Sequence, residues 1–539
     1  MTNSTPQASP DSPALGAAAD PSLLVTTTAG PVVGVRDGQG RRWRGLRYAA
    51  APVGALRWRA PRPPQPWVEP FDASRYGGVC PQPVSPMVVL PDGVGFDEDC
   101  LTLNVWASAG CAPDKPSPVM VWIHGGAYIF GASCQKMFEP DKLAVPEPMI
   151  VVAVNYRLGA LGFLDLTSFG TQADAFDSNL ALRDVLLALT WVKDNISAFG
   201  GDPNRVTLAG ESAGGGIVTT LLTVPAARGL FSRAIAESSP ATSVYDTARS
   251  ARVAAKFLDG VGIAPAEIER LRDLPVEQIV EAGFALYSAV PAESPGTLAY
   301  APTVDGDLLP DYPLNRFRSG ESHPVPLLIG TNKSESAMFK VMKSPLMPIT
   351  SDAIMQMFSD IAADHPALDL PTEAQVGSAY VGMSQKAKGL GVARDIGFRM
   401  PTIWLAEGHC QVAPVYLYRF DWATPMLRLL GLGATHATEL PYLWGNLIGG
   451  PKDITFRLGG LGAGRRVSRR MQARWLSFVA GGEPNADPDD PPWPQYRTSP
   501  DADTAGERAT LVIDLRDQVE PDLDQQLRLA WGDDVLSFL

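Results

Sequence analysis

Short apolar runs recur along this chain and alternate with stretches whose apolar positions fall three and four apart. Pro118–Ile123, Met149–Tyr156, Val206–Ala209, Ala234–Ser238, Pro326–Asn332 and Val415–Phe420 read as buried strands, the last of these being the final convincing one. Ser178–Ser197 reads as a helix, with Leu182, Val185, Leu186, Leu189, Val192 and Ile196 along one face, ended by Phe199-Gly200-Gly201-Asp202-Pro203. Helical periodicity also marks Ser250–Tyr300, Asp352–Glu407 and a closing helix at Val467–Val479. Strands alternating with helices predict an α/β protein whose mostly parallel, twisted sheet is covered by helices on both faces. The helical excursions are expected to form a lid over the sheet's C-terminal edge, where substrate walls usually lie. Nearer the N-terminus, Leu23–Val35 predicts a hairpin around Ala29-Gly30-Pro31, and Trp43–Ala49 with Pro52–Trp58 a layered loop. Asp97–Val105 returns to strand character.

The chain has 539 residues, which alone would suggest about three or four domains. Large α/β enzymes break that prior, and the expectation is a disordered tail over 1–22 followed by one domain over 23–539. Residues 1–22 are mostly Pro, Ser, Ala and Asp, without the basic start and apolar centre of a signal peptide. A net charge of −13, with no basic face, argues against nucleic acid or an anionic membrane as partner. No apolar stretch reaches the roughly 18 residues of a membrane span. The default expectation is a bacterial-type cytoplasmic protein, a monomer or weak homo-oligomer. None of the five cysteines stands in metal-ligand spacing, so neither metal nor cofactor is expected.

The chemistry gathers at Gly210-Glu211-Ser212-Ala213-Gly214, between the Val206–Ala209 strand and a helical run from Ile217 to Leu222. Strand, Gly-x-Ser-x-Gly and helix force the serine onto a strained turn at the C-terminal edge of a parallel sheet, beside helix N-terminal amides that favour negative charge. A Cβ at either glycine would collide with the neighbouring strand and helix. The bland alternative is a glycine-rich turn with an idle serine. A serine nucleophile needs a base, and the base needs an acid to hold its tautomer; on such a turn both follow the serine in chain order. Of five histidines, His436 lies in the small-residue loop Gly433-Ala434-Thr435-His436-Ala437, after the last convincing strand, where a triad histidine should hang. His124 precedes the serine and ends a strand at His124-Gly125-Gly126, and His323, His365 and His409 read as surface or packing residues.

With these motifs the chain resembles a type B carboxylesterase, the α/β-hydrolase branch that holds cholinesterases, liver carboxylesterases and bacterial para-nitrobenzyl esterases. The resemblance runs from about Val25 to the C-terminal helix. It rests on Arg44-Gly45 with Pro52-Val53-Gly54, Glu98-Asp99-Cys100-Leu101, His124-Gly125-Gly126, Asn155-Tyr156-Arg157, Phe199–Pro203 and the Ser212 turn. It implies the α/β-hydrolase fold and cleavage of small-molecule carboxylic esters through an acyl-enzyme. Ser212 would be nucleophile, His436 general base and acid, Glu335 the orienting acid, and the backbone N–H groups of Gly125, Gly126 and Ala213 the oxyanion hole. Asp305 and Asp307 are competing carboxylates for the acid. Ser334-Glu335-Ser336 departs from the family's usual Asp-Glu-Gly, so the local turn there is expected to differ. The resemblance further implies a Cys80–Cys100 disulfide, worth about 3 kcal/mol if closed, although a reducing cytosol would oppose it. It implies ion pairs of Arg44 with Glu98 and of Arg157 with Asp184, and it makes Tyr128, Phe130 and Glu211 substrate-binding candidates, with core packing a rival reading for the two aromatics. The segment between Cys80 and Cys100 holds Phe96 but no tryptophan to stack on a quaternary ammonium, which disfavours choline esters. Carbamate or amide hydrolysis on the same triad is the neighbouring alternative. A binding module of the neuroligin kind, which loses triad members, is the other class; all three members are present here.

Overall fold

The computed structural model describes residues 20–38, 40–143, 147–171, 175–366, 370–449, 453–498, 507–532 and 534–538. Among the described residues, eleven strands form one sheet. Across it run Gln518–Glu520, Thr510–Ile513, Val415–Phe420, Leu327–Asn332, Arg233–Glu237, Gly201–Glu211, Ser117–Ile123, Ile150–Val154, Thr102–Ala107, Gly40–Arg47 and Val35–Asp37. From Thr510–Ile513 to Ile150–Val154 every neighbouring pair is parallel, and antiparallel strands close both edges. The parallel centre is why its strands are continuous apolar runs: both faces are buried. In Ser117–Ile123 alternate residues feed two cores, Val119, Val121 and Ile123 on one face and Met120 and Trp122 on the other. Leu180–Asn195 packs its apolar face into the first core, and the long helix Leu461–Gly481 contributes Val467, Met471, Trp475 and Val479 to the second.

Several expectations need correction. The layered loop expected from Trp43 is strand as far as Arg47, and only the part beyond is loop, with a single 3-10 turn at Gly54–Leu56. The strand expected over Asp97–Val105 begins at Thr102. Two strands lie beyond Val415–Phe420, at Thr510–Ile513 and Gln518–Glu520, because a short run followed by Asp514 and Asp517 carries little periodicity of its own. Most of the expected tail lies outside the described residues, but Pro21–Leu23 forms a 3-10 turn capped by Asp20.

Glu98 pairs with Arg57, at 2.5 and 2.8 Å, and Arg44 turns instead to Asp37 at 2.9 Å. Arg57 also donates to carbonyls of Arg272 and Leu274, which ties the Glu98 loop to the helical excursion. The Arg157–Asp184 pair is as expected: fully buried and bidentate, with bonds of 2.8 and 2.6 Å. Cys80 and Cys100 are neighbouring free thiols and not a disulfide. The Cys80 sulfur accepts the Leu158 N–H at 3.2 Å, and its contact with Cys100, together with burial, pushes the Cys100 thiol up. Cys100 is thereby held away from the thiolate form that disulfide chemistry needs.

Candidate active site

The strand Gly201–Glu211 runs into the helix Ala213–Leu221 with a single residue between them, and that residue is Ser212. Its backbone sits at φ 57°, ψ −123°, a region that costs about 1–3 kcal/mol for a side-chain-bearing residue and persists only where the surroundings impose it. They do so here. The Ser212 N–H bonds Glu237 O at 2.9 Å, and its carbonyl accepts from Gly216 at 2.8 Å. A Cβ on Gly214 would overlap the Ile123 carbonyl, so only glycine lets the helix start against the neighbouring strand.

The histidine reaches this serine from a loop far along the chain. His436 Nε2 lies 2.8 Å from Ser212 Oγ, and its Nδ1 lies 2.7 Å from Glu335 Oε2. A carboxylate only accepts, so Nδ1 carries the hydrogen and Nε2 is free to receive the serine's proton. Glu335 is wholly buried, and its second oxygen accepts from the Asn332 N–H at 2.6 Å and from Ser238 Oγ at 2.7 Å. The histidine loop is sewn to the glutamate turn by Ser334 N to Ala434 O and Met338 N to Thr435 Oγ1, each 2.8 Å. Ser336 opens the short helix Ser336–Val341 and donates to Leu390 O at 2.6 Å, so the departure from Asp-Glu-Gly is absorbed locally. The rival carboxylates are elsewhere: Asp305 accepts from Ser178 and Asn179, and Asp307 is exposed beside Arg183.

Gly125 and Gly126 follow the strand Ser117–Ile123 and approach the serine from the other side. A Cβ on Gly125 would stand 2.6 Å from Glu211 O and 3.0 Å from the Ser212 Cβ, which measures how closely this loop lies on the turn. Ala213 is the first residue of its helix, so its N–H has no intrahelical partner. The adjacent His124 is buried and stacked on Tyr156 at 4.6 Å, with its Nδ1–H donated to Gly125 O at 2.9 Å. Burial pulls its pKa down to about 4, so it is a neutral prop for the glycine loop.

The three substrate-wall candidates divide. Phe130 is half-buried and meets Phe284 and Tyr287, edge to face, on the excursion helix Val276–Glu293. Tyr128 is 1% exposed, packs on Phe163 and underlies Gly216, so it belongs to the core and not to an open wall. Glu211 is buried, with Oε1 3.3 Å from His436 Nε2. Burial first, and then the charges of Glu335 and Glu237, push its pKa well above the carboxylate range.

Reasoning from sequence missed Ser238, Phe339 and Phe398. Ser238 was within reach, since Glu237-Ser238-Ser239 ends a parallel strand at the same sheet edge as Ser212. The two phenylalanines carry no motif; their rings lie 5.2 and 4.8 Å from the His436 ring.

A serine, histidine and glutamate aligned by hydrogen bonds at the rim of a mostly parallel, helix-covered sheet define an α/β-hydrolase. A family model described as the carboxylesterase family matches residues 21–520, and the chain belongs to that family. It is 36% identical over 519 residues to a para-nitrobenzyl esterase of Bacillus subtilis (strain 168), spanning 94% of this chain and 97% of that one. To a phenmedipham hydrolase of Pseudarthrobacter oxydans it is 32% identical over 513 residues, 93% and 98% of the two chains. Among solved structures, a thermophilic PNB esterase superposes with a TM-score of 0.81 at 34% identity, over 95% of this chain and all of the other. A Geobacillus stearothermophilus carboxylesterase gives 0.80 at 31%, again over 95% of this chain and 100% of that one. The protein is a carboxylic-ester hydrolase of the serine type. No helix among the described residues is long and apolar enough to cross a membrane.

Proposed function

We propose that this enzyme, folded as one domain beyond its N-terminal tail, cleaves small carboxylic esters through an acyl group carried on Ser212. The ester carbonyl lies with its oxygen toward the N–H groups of Gly125, Gly126 and Ala213. His436 Nε2 takes the Ser212 proton as Oγ attacks, and the oxyanion that forms is met by those amides. Glu335 stays ionised, fixing the imidazole plane and balancing the imidazolium. Collapse expels the alcohol, which leaves with the proton now on Nε2. Water then repeats the sequence on the acyl-enzyme: Nε2 takes its proton, hydroxide adds, and the carboxylic acid departs as Ser212 Oγ recovers a proton. One observation carries the reading, the unbroken relay from Glu335 Oε2 through His436 to Ser212 Oγ at 2.7 and 2.8 Å.

The relative named for para-nitrobenzyl ester cleavage spans nearly the whole chain, so benzyl and nitrophenyl esters are the first substrates to offer. A series of para-nitrophenyl esters of rising acyl length, run with wild type and Ser212→Ala, tests the reading. Wild type should turn over the short members, and the variant should lose about 10⁴-fold or more in kcat. A wild type inert to the whole series would refute it.

A further inference from the structure

Between the helices Gln385–Arg394 and Met400–His409 the chain winds for one turn as a π-helix, Asp395–Arg399. Such a turn inserts an extra residue, loosens the helix ladder and occurs most often where function needs a side chain re-aimed. Here both ends are anchored. The wholly buried Asp395 accepts from the Arg394 guanidinium at 2.6 and 2.8 Å and from the Tyr380 hydroxyl at 2.5 Å. Arg399, also buried, donates to Asn332 O at 3.2 Å, the same residue whose N–H holds Glu335. Between these anchors Phe398 is 5% exposed, and its ring centre lies 4.8 Å from that of His436 at a 35° tilt. Phe339 closes a triangle, 5.2 Å from His436 and 6.2 Å from Phe398.

We propose that Phe398, aimed by the π-turn and backed by Phe339, is a positioning residue that holds the His436 imidazole in the plane joining Glu335 to Ser212. It rests on His436 acting as the base. The two hydrogen bonds fix the ring's in-plane direction but leave it free to tilt about the line between them; a phenyl face across that line removes the freedom. When the ring takes the serine's proton, the same phenyl offers its negative face to a desolvated cation. The other groups facing or flanking the imidazole are Glu335, Glu211 and Ser212. Glu439 beyond the loop is bonded to Asn332, and Asp395 and Arg399 are spent on their anchors.

The test compares Phe398→Leu, Phe339→Leu and Phe398→Tyr with wild type on one para-nitrophenyl ester, reading kcat, KM, the acid limb of kcat/KM and the melting temperature. Phe398→Leu should lose about tenfold in kcat with KM within about threefold, a loss of order 1.4 kcal/mol. Its acid limb should move to lower pH by about half a unit to one unit, since the imidazolium loses its partner. Phe398→Tyr, which keeps the ring face, should return both toward wild type. If Phe398→Leu does not fold, the half-buried Phe339 carries the test, with about a threefold loss in kcat and a limb moved the same way. A folded Phe398→Leu with kcat within twofold and an unmoved acid limb overturns the proposal, as does an unchanged Phe339→Leu when it stands alone. A wild type that does not need Ser212 would instead overturn the reading beneath it.

Discussion

The Oε1 atom of Glu211 lies 3.3 Å from Nε2 of His436, the nitrogen that holds the Ser212 hydroxyl at 2.8 Å. A carboxylate there would bind the imidazolium directly, but burial first, and then the neighbouring Glu335 and Glu237, push the Glu211 pKa well above the usual carboxylate range. The two buried carboxylic groups near this histidine thus sit in different surroundings: Glu335 accepts from the Asn332 N–H and Ser238 Oγ as well as facing Nδ1, whereas Glu211 Oε1 faces Nε2 with no hydrogen bond of its own.

Glutamine is close to isosteric with a protonated glutamate, so Glu211→Gln should keep at least about a tenth of wild-type kcat/KM between pH 6 and 8. A steady-state pH profile checks this. A fall beyond a hundredfold with unchanged fold would mean that the side chain acts as an anion.

Glu335→Gln should preserve the packing yet reverse the hydrogen-bond partner at Nδ1. A loss of about 10³–10⁴ in kcat with a small change in KM is expected, the cost of a histidine in the wrong tautomer. Stopped-flow or steady-state kinetics on a single ester measures it, and retention of a tenth of the activity would point to another acid.

Gly125→Ala probes the glycine loop. The added methyl would press on the Glu211 carbonyl and the Ser212 Cβ, which would push the loop's amides from the oxyanion position proposed for them. Loss of one such donor costs about 10²–10³ in kcat, and the melting temperature should fall less than in Gly214→Ala, whose methyl would stand only 2.1 Å from the Ile123 carbonyl, against 2.6 Å to the Glu211 carbonyl for Gly125→Ala. Equal activity for Gly125→Ala and wild type would remove this loop from the mechanism.

Glu237 lies under the site with Trp475 Nε1 donating to it at 2.6 Å, and burial raises its pKa to about 8. Its pKa is thus higher folded than unfolded, so its contribution is complete below about pH 4.5 and is lost as pH rises toward 8. Glu237→Gln keeps an acceptor for Trp475 and removes the titration. Its melting temperature relative to wild type should therefore climb between pH 5 and pH 8; a constant difference would show that Glu237 does not titrate there. His124, held down at about 4, acts in the opposite direction, its contribution complete above about 6.5 and lost between 6.5 and 4.

The strand-turn-helix around Ser212 was legible because local constraints act together there: a buried run, glycines where neighbours leave no room for a Cβ, and an apolar helix. His436 was legible by elimination among five histidines, and Glu335 through resemblance to a family. What escaped is set by tertiary neighbours that no local pattern encodes. Arg57 took Glu98 because the Leu271–Leu274 carbonyls fix its guanidinium beside that loop. Tyr128 went inward as the backbone past the glycines turns through φ +53° at Ala127 and +62° at Tyr128. Phe398 reached the histidine through a π-turn, and a helical period of three and four conceals the extra residue that makes one.

Active-site labelling tests the nucleophile most directly. Treated with a para-nitrophenyl phosphate triester, wild type should gain one dialkylphosphoryl group per chain by intact mass, release one equivalent of nitrophenol, and carry the group on the peptide containing Ser212. Ser212→Ala should stay unlabelled. An adduct on any other residue, or full esterase activity in a chain whose Ser212 is phosphorylated, would contradict the assignment.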